Sequence, residues 1–387
     1  MQPINFRKAI FVLTITLFLL SFSNGSAQDA KEGFRFTTLH NIEHTGVKNQ
    51  GRTGTCWSYS GNSFLETEMK RMGKPFVDLA EMYTVRNTYL EKGDRYVRMH
   101  GSLNFGQGGA LPDALAMIDK YGALPEVIYP GKIYSEKLRK HGEMEAVLKG
   151  ILDAVIANKD KHLSNHWKKA YQRVVDTYMG EVPQNFTYHG KSYTPKSFAE
   201  EVVGIHSEDY IQFSSTSRVP FHTKYVILVP DNWMMALSYN VPVDEMTQIV
   251  DHALKNGYSV AWAADVSEPY FSWKKGMAIL PPKPWADMTK EERKAFFDMP
   301  RPEMTVTQQM RDEQYDNYRT TDDHGMHIVG LAKDQNGKEY YIVKNSWDVN
   351  NPYEGYLYVS KPYFQLKTTA FLLHKGGIPA DIKSRLK

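Results

Sequence analysis

The stretch Asn49-Gln50-Gly51-Arg52-Thr53-Gly54-Thr55-Cys56-Trp57-Ser58-Tyr59-Ser60 decides how the rest of the chain is read. It holds the one cysteine among 387 residues, so the thiol has no partner within the chain for a disulfide. Two glycines precede Cys56 and a helix-compatible run follows it, which predicts a turn-to-helix junction. A helix N-terminus carries partial positive charge and free N–H groups. These lower a thiol's pKa and can hold the oxyanion of an attacked carbonyl. A lone cysteine is also a common small core residue. Reading it as a nucleophile therefore requires a base and an orienting group elsewhere in the chain.

Both are present downstream. Asp323-His324-Gly325-Met326-His327-Ile328-Val329-Gly330-Leu331 reads as the start of a strand, and Tyr340-Tyr341-Ile342-Val343-Lys344-Asn345-Ser346-Trp347 as a second strand. The turn-like Lys333-Asp334-Gln335-Asn336-Gly337-Lys338 joins them, which brings a histidine and Asn345 to the same end of a hairpin. His324 and His327 lie three residues apart, so on a strand they face opposite sides and only one of them faces a cleft. In a third stretch, Gly106 to Gly122, the pair Gly108-Gly109 precedes Pro112 and apolar residues at helical spacing, a loop leading into a helix.

Together these segments resemble the papain-like cysteine peptidases. Gln50, Gly51, Gly54, Cys56, Trp57 and Ser60 match that family's nucleophile motif. Asn345, Ser346 and Trp347 match its Asn-Ser-Trp motif, and Asp323, Val329 and Gly330 frame His324 in its pattern for the base. The resemblance implies an α+β fold of two lobes, helical with Cys56 and β-rich with His324 and Asn345, and a cleft between them. It makes Cys56 the nucleophile, His324 the base and Asn345 its orienting amide, with Gln50 and the Cys56 N–H as oxyanion donors. It places Gly108 and Gly109 against an extended substrate and Trp347 over the His–Asn bond. His327 is then a packed strand residue. The family's second cysteine, three residues before the nucleophile, is replaced here by Thr53.

Within the family the likeness is to the bleomycin hydrolase and aminopeptidase C branch, carried by Met179 to Tyr188, Thr194 to Phe198 and Gly257 to Val266. It implies a helical lobe over 28–130, a branch-specific insertion over 131–256 and a β-rich lobe over 257–387. It also implies an aminopeptidase working through a thioester, assembled as a homo-hexamer, with the chain's own C-terminus in the cleft. The terminal Lys383-Ser384-Arg385-Leu386-Lys387 departs from the expected ending, and its positive charges oppose an incoming amine. An endopeptidase, and a catalytically silent peptide-binding protein, are the alternatives.

Arg7-Lys8, the apolar run from Ala9 to Ser21 and the small residues Gly25-Ser26-Ala27 read as a signal peptide. The expected mature chain starts near Gln28 and is exported, periplasmic or secreted, whereas members of the branch are typically cytoplasmic. The apolar run is short for a membrane span, and no second one follows. Lys and Arg number 47 against 44 Asp and Glu, mixed along the chain, which argues against a nucleic-acid partner. Peptides are the expected partners. Asp322 to His327 has a metal-like composition but no second cluster, so neither metal nor cofactor is expected. Thr289 to Phe297 reads as a capped helix overhanging the cleft, and His44, His141 and His166 as surface residues.

Overall fold

In the computed structural model, which describes residues 33–131, 139–159 and 162–387, the helix that opens at Cys56 is buried along almost its whole length. The segment read as a signal peptide lies outside the described residues. The helices are α1 (Cys56–Arg71), α2 (Glu81–Arg98), α3 (Pro112–Tyr121), α4 (Gly142–Ile156), α5 (His166–Met179), α6 (Pro195–Phe198), α7 (Val243–Lys255), α8 (Lys290–Lys294), α9 (Gln308–Asp316), α10 (Lys361–Lys367) and α11 (Ala380–Arg385). The strands are β1 (Thr37–Asn41), β2 (Phe186–Tyr188), β3 (Lys191–Tyr193), β4 (Tyr210–Ser214), β5 (Lys224–Val226), β6 (Leu237–Asn240), β7 (Val260–Ala264), β8 (Phe271–Ser272), β9 (Met277–Ala278), β10 (His324–Lys333), β11 (Glu339–Lys344), β12 (Tyr356–Ser360) and β13 (Thr368–His374). No described helix is long and apolar enough to cross a membrane.

Two large apolar cores lie on either side of the sheet's middle strands. One gathers Phe64, Leu65 and Met69 of α1 with residues of α2 to α5. The other gathers Met326 and Ile328 of β10, Tyr341 and Val343 of β11, Trp262 of β7 and Phe371 of β13 under α7 and α10. The large sheet runs β5-β6-β4-β13-β7-β10-β11-β12-β9-β8, with β1 paired to the far half of β10. Residues 131–256 contribute to both cores: α4 and α5 pack on α2, while β4 joins β13 and α7 covers the sheet.

Small residues let α1 pack closely on both sides. Ser58, Ser60, Gly61 and Ser63 are buried, and a Cβ on Gly61 would lie 2.8 Å from the Ala114 methyl of α3. On the sheet side, a Cβ on Gly325 would lie 2.8 Å from Ser60 Oγ and 3.1 Å from Trp57 Cα. Gly325→Ala is therefore expected to destabilise by about 1–3 kcal/mol through overpacking, seen as a lowered melting temperature and altered Cys56 alkylation. Gly142→Ala, with nothing within 4 Å, is the control that leaves both in place.

Three expectations need correction. His141 is buried against Tyr89, at 6.4 Å between ring centroids, and is not a surface residue. His44 is half-buried, bonded to Ile42 O at 2.6 Å and Tyr356 Oη at 2.7 Å. α8 does carry the expected capping box at Thr289 and Glu292, but its neighbour Phe296 turns into the β-lobe core and the segment does not line the cavity at Cys56. Burial and the nearby Arg139 lower His141 from 6.5 to about 4. Between those values the unfolded chain binds the extra proton, so stability is full above pH 6.5 and is lost as pH falls toward 4. The full shift is worth on the order of 3 kcal/mol, and His141→Phe is expected to flatten the fall of melting temperature across that window.

Candidate active site

Cys56 is the first residue of α1, following Thr55. Thr53, standing where the family carries a second cysteine, is buried; its Oγ1 donates to Gln50 O at 2.9 Å and meets Thr55 Oγ1 at 2.6 Å. These bonds fix the loop before the thiol without a disulfide. The Gly325 backbone N–H donates to the Cys56 sulfur, so the residue after His324 is in direct contact with the thiol. Both side chains line one cavity of about 510 Å³.

His324 begins β10, held in register opposite Ala264 of β7. Its Nε2 meets Asn345 Oδ1 at 2.7 Å. Asn345 follows the last residue of β11, so the β10–β11 pairing itself delivers the bond. The Trp347 ring lies 4.4 Å from the imidazole between centroids, tilted by 32°. Phe271 and Trp273 meet Trp347 edge-on at 6.0 Å and 5.6 Å. His327, on the other face of β10, meets Ser63 Oγ of α1 at 2.9 Å and does not line this cavity.

Gln50 is buried and tied to the Asn345 segment: its N–H donates to Ser346 O at 2.9 Å, and Ser346 Oγ donates to its Oε1 at 2.6 Å. Its Nε2 donates to Thr53 O at 2.6 Å, leaving one N–H of that amide. Gln50 is not among the residues lining the cavity. Gly109 lines it, and Gly108 sits beside it, yet each lacks a side chain for an internal reason. A Cβ on Gly108 would lie 2.0 Å from the Asp231 carboxylate, and one on Gly109 would lie 2.7 Å from the Trp57 ring. The loop is held by its carbonyls, with Trp57 Nε1 donating to Gln107 O at 2.9 Å and Lys92 Nζ donating to Gly108 O.

The group over Gly108 could not be anticipated from sequence. Ile227, Val229, Asp231 and Asn232 roof the cavity. Asn232 winds this loop by donating to Ile227 O at 3.0 Å and Ala236 O at 3.1 Å and accepting from Ala236 N at 2.9 Å. Trp233 Nε1 pins it to Asp113 Oδ2 of α3 at 2.5 Å. No hydrophobic periodicity marks a loop built on side-chain amides, which is why only the structure reveals it.

Electrostatically, burial pushes the Cys56 thiol up to about 11, and the Asp231 charge adds to the rise; N–H groups of Gly325, Trp57 and Cys56 itself act against it. Burial lowers His324 to about 4, against the Asn345 bond and the Asp323 charge. Both shifts favour a neutral thiol beside a neutral imidazole. Elsewhere, the carboxylates Glu66, Asp78 and Glu81 lie close enough together to suggest a metal site, but Lys48 Nζ occupies them, bonding Glu81 at 2.5 Å.

Comparison with known proteins agrees with this geometry. The model of the Peptidase C1-like family matches residues 18–387. Aminopeptidase C of Lactobacillus delbrueckii subsp. lactis is 23% identical, over 88% of this chain and 82% of its own. Bleomycin hydrolase of Mus musculus is 22% identical, over 92% of this chain and 86% of its own. The crystal structure of PepW from Lactobacillus rhamnosis shares the fold, with a TM-score of 0.69 at 20% identity over 90% of this chain and 84% of that one. With an α+β fold of this kind and a family match across both lobes, the chain belongs to the Peptidase C1-like family of papain-like cysteine peptidases, in its aminopeptidase C and bleomycin hydrolase branch.

Proposed function

We propose that the protein hydrolyses peptide bonds through Cys56, His324 and Asn345, acting as an exported aminopeptidase. The observation that carries this reading is the His324–Asn345 bond of 2.7 Å on a strand whose next N–H, that of Gly325, holds the Cys56 sulfur. His324 accepts the thiol proton as the sulfur attacks the substrate carbonyl, and Asn345 keeps the imidazole in the orientation that leaves its other nitrogen toward the cleft. The Cys56 N–H and the remaining Gln50 N–H receive the oxyanion. His324 then protonates the departing amine, and water cleaves the thioester. Trp347, stacked on His324, excludes water from the His324–Asn345 bond.

The aminopeptidase reading is supported by the names of the branch relatives. The export reading follows from the basic, apolar and small-residue sequence of residues 1–27.

Cys56→Ala is expected to abolish hydrolysis of fluorogenic aminoacyl substrates while leaving the melting temperature in place, and His324→Ala to be about as damaging, because residues that act as a unit do not add. His327→Ala is expected to lower the melting temperature with turnover largely retained; the reverse ranking of the two histidines would refute the assignment. A second measurement concerns the thiol. Asp231→Asn removes a negative charge that disfavours the thiolate, so the pH profile of Cys56 alkylation by iodoacetamide is expected to move to lower pH, with a several-fold faster reaction at neutral pH.

A further inference from the structure

The cavity beside Cys56 and His324 is also lined by two carboxylates, Asp231 and Asp322, and by the side chain of Gln212. The carboxylates come from separate loops and are joined through the backbone, the Asp231 N–H donating to Asp322 Oδ2 at 2.9 Å. Asp231 Oδ1 accepts from Asn104 Nδ2 at 3.2 Å. No cation within salt-bridge distance neutralises either carboxylate among the described residues. The Lys92 ammonium favours the Asp231 charge but is spent on the carbonyls of Gly106 and Gly108. Gln212 is 6% exposed; its Nε2 donates to Ser238 Oγ at 2.6 Å, while its Oε1 is buried without a hydrogen-bond partner. A buried carbonyl oxygen of this kind is costly unless a donor reaches it. Two carboxylates that no cation pairs, each given one N–H donor, and the unpartnered Gln212 Oε1, all beside a nucleophile, form a receptor for a small cation bearing several N–H groups.

The chain's own basic end does not enter. The last cavity-lining residue is Ala370, and the C-terminal segment packs elsewhere, with Arg385 Nη1 on Glu245 at 2.6 Å and the Lys387 N–H on His222 O at 2.9 Å. The loop that carries Asp231 is wound on Asn232 and held by Trp233 to Asp113.

We propose that Asp231 and Asp322, with Gln212 Oε1, bind a primary ammonium group of the substrate and so determine which peptides reach Cys56. This rests on the peptidase reading above and names the residues that give it a substrate class: peptides presenting an ammonium next to the scissile bond, either the free α-amine or a lysine side chain. The test compares full-length wild type with Asp231→Asn and Asp322→Asn on three fluorogenic amides: leucyl, N-acetyl-leucyl and N-acetyl-lysyl aminomethylcoumarin. For free leucyl substrate, each variant is expected to lose about tenfold or more in kcat/KM, chiefly through KM, so that the preference for free over acetylated leucyl collapses. Loss confined to the N-acetyl-lysyl amide supports the ammonium site and assigns it to the side chain. Unchanged preference on all three substrates in folded variants overturns the proposal while leaving the peptidase intact. Wild type cleaving none of the three, with Cys56 alkylable, removes the peptidase reading instead. Melting temperature reports folding, and if Asp231→Asn fails to fold against Gly108, the half-buried Asp322→Asn carries the test alone.

Discussion

The close approach of β10 to the first turn of α1, made possible by the missing side chain at Gly325, is the constraint on which the site depends. A helix start supplies a positively polarised end and N–H groups, but it does not bring a base to the thiol. The base arrives because β10 begins at His324 and runs directly beneath Ser60 and Trp57. Gly325 then serves twice: its lack of Cβ admits the helix, and its N–H reaches the sulfur. Position 325 is thus coupled to the geometry of both neighbours, and a methyl there separates the elements that carry them.

Behind the nucleophile, polar groups join α1 to β10 and β11. Lys344 Nζ of β11 donates to Ser63 Oγ of α1 at 2.8 Å and to Thr45 Oγ1 at 3.0 Å, and Ser63 also meets His327. Thr45 Oγ1 in turn donates to Glu66 at 2.5 Å. Burial lowers Lys344 to about 8, so the layer holds charge at some cost. Apolar contacts would tolerate rotation of α1 about its axis. Directional bonds from Ser63 and Glu66 fix the face that α1 turns to the sheet, and with it the direction of Cys56.

The elements that bear chemistry were legible because their signals are local. A glycine-flanked cysteine before helix-compatible residues does start α1, and the two short runs around residues 324–331 and 340–347 do pair as a hairpin, with Asp334 accepting from the Asn336 and Lys338 N–H groups in the turn. What escaped was decided by distant partners. β13 lies between β4 and β7, a strand order no local pattern encodes. His141 looks like any polar loop residue until α2 and α4 enclose it. The glycine pair is legible as a close approach, but which group of the chain comes near each glycine is not. At Gly108 it is Asp231, 123 positions onward by residue number, and at Gly109 it is Trp57.

That carboxylate bears on the protonation state of the nucleophile. Burial is the main effect that holds the thiol neutral and the Asp231 charge adds to it, while burial also holds the imidazole neutral. An ammonium bound between Asp231 and Asp322 offsets the Asp231 contribution, because its positive charge opposes that carboxylate's field at the sulfur. A substrate without the cation meets a thiol with its proton still in place. The carboxylate proposed to hold the ammonium is thus also a charge that opposes the thiolate, so substrate binding and ionisation of the nucleophile draw on one electrostatic group.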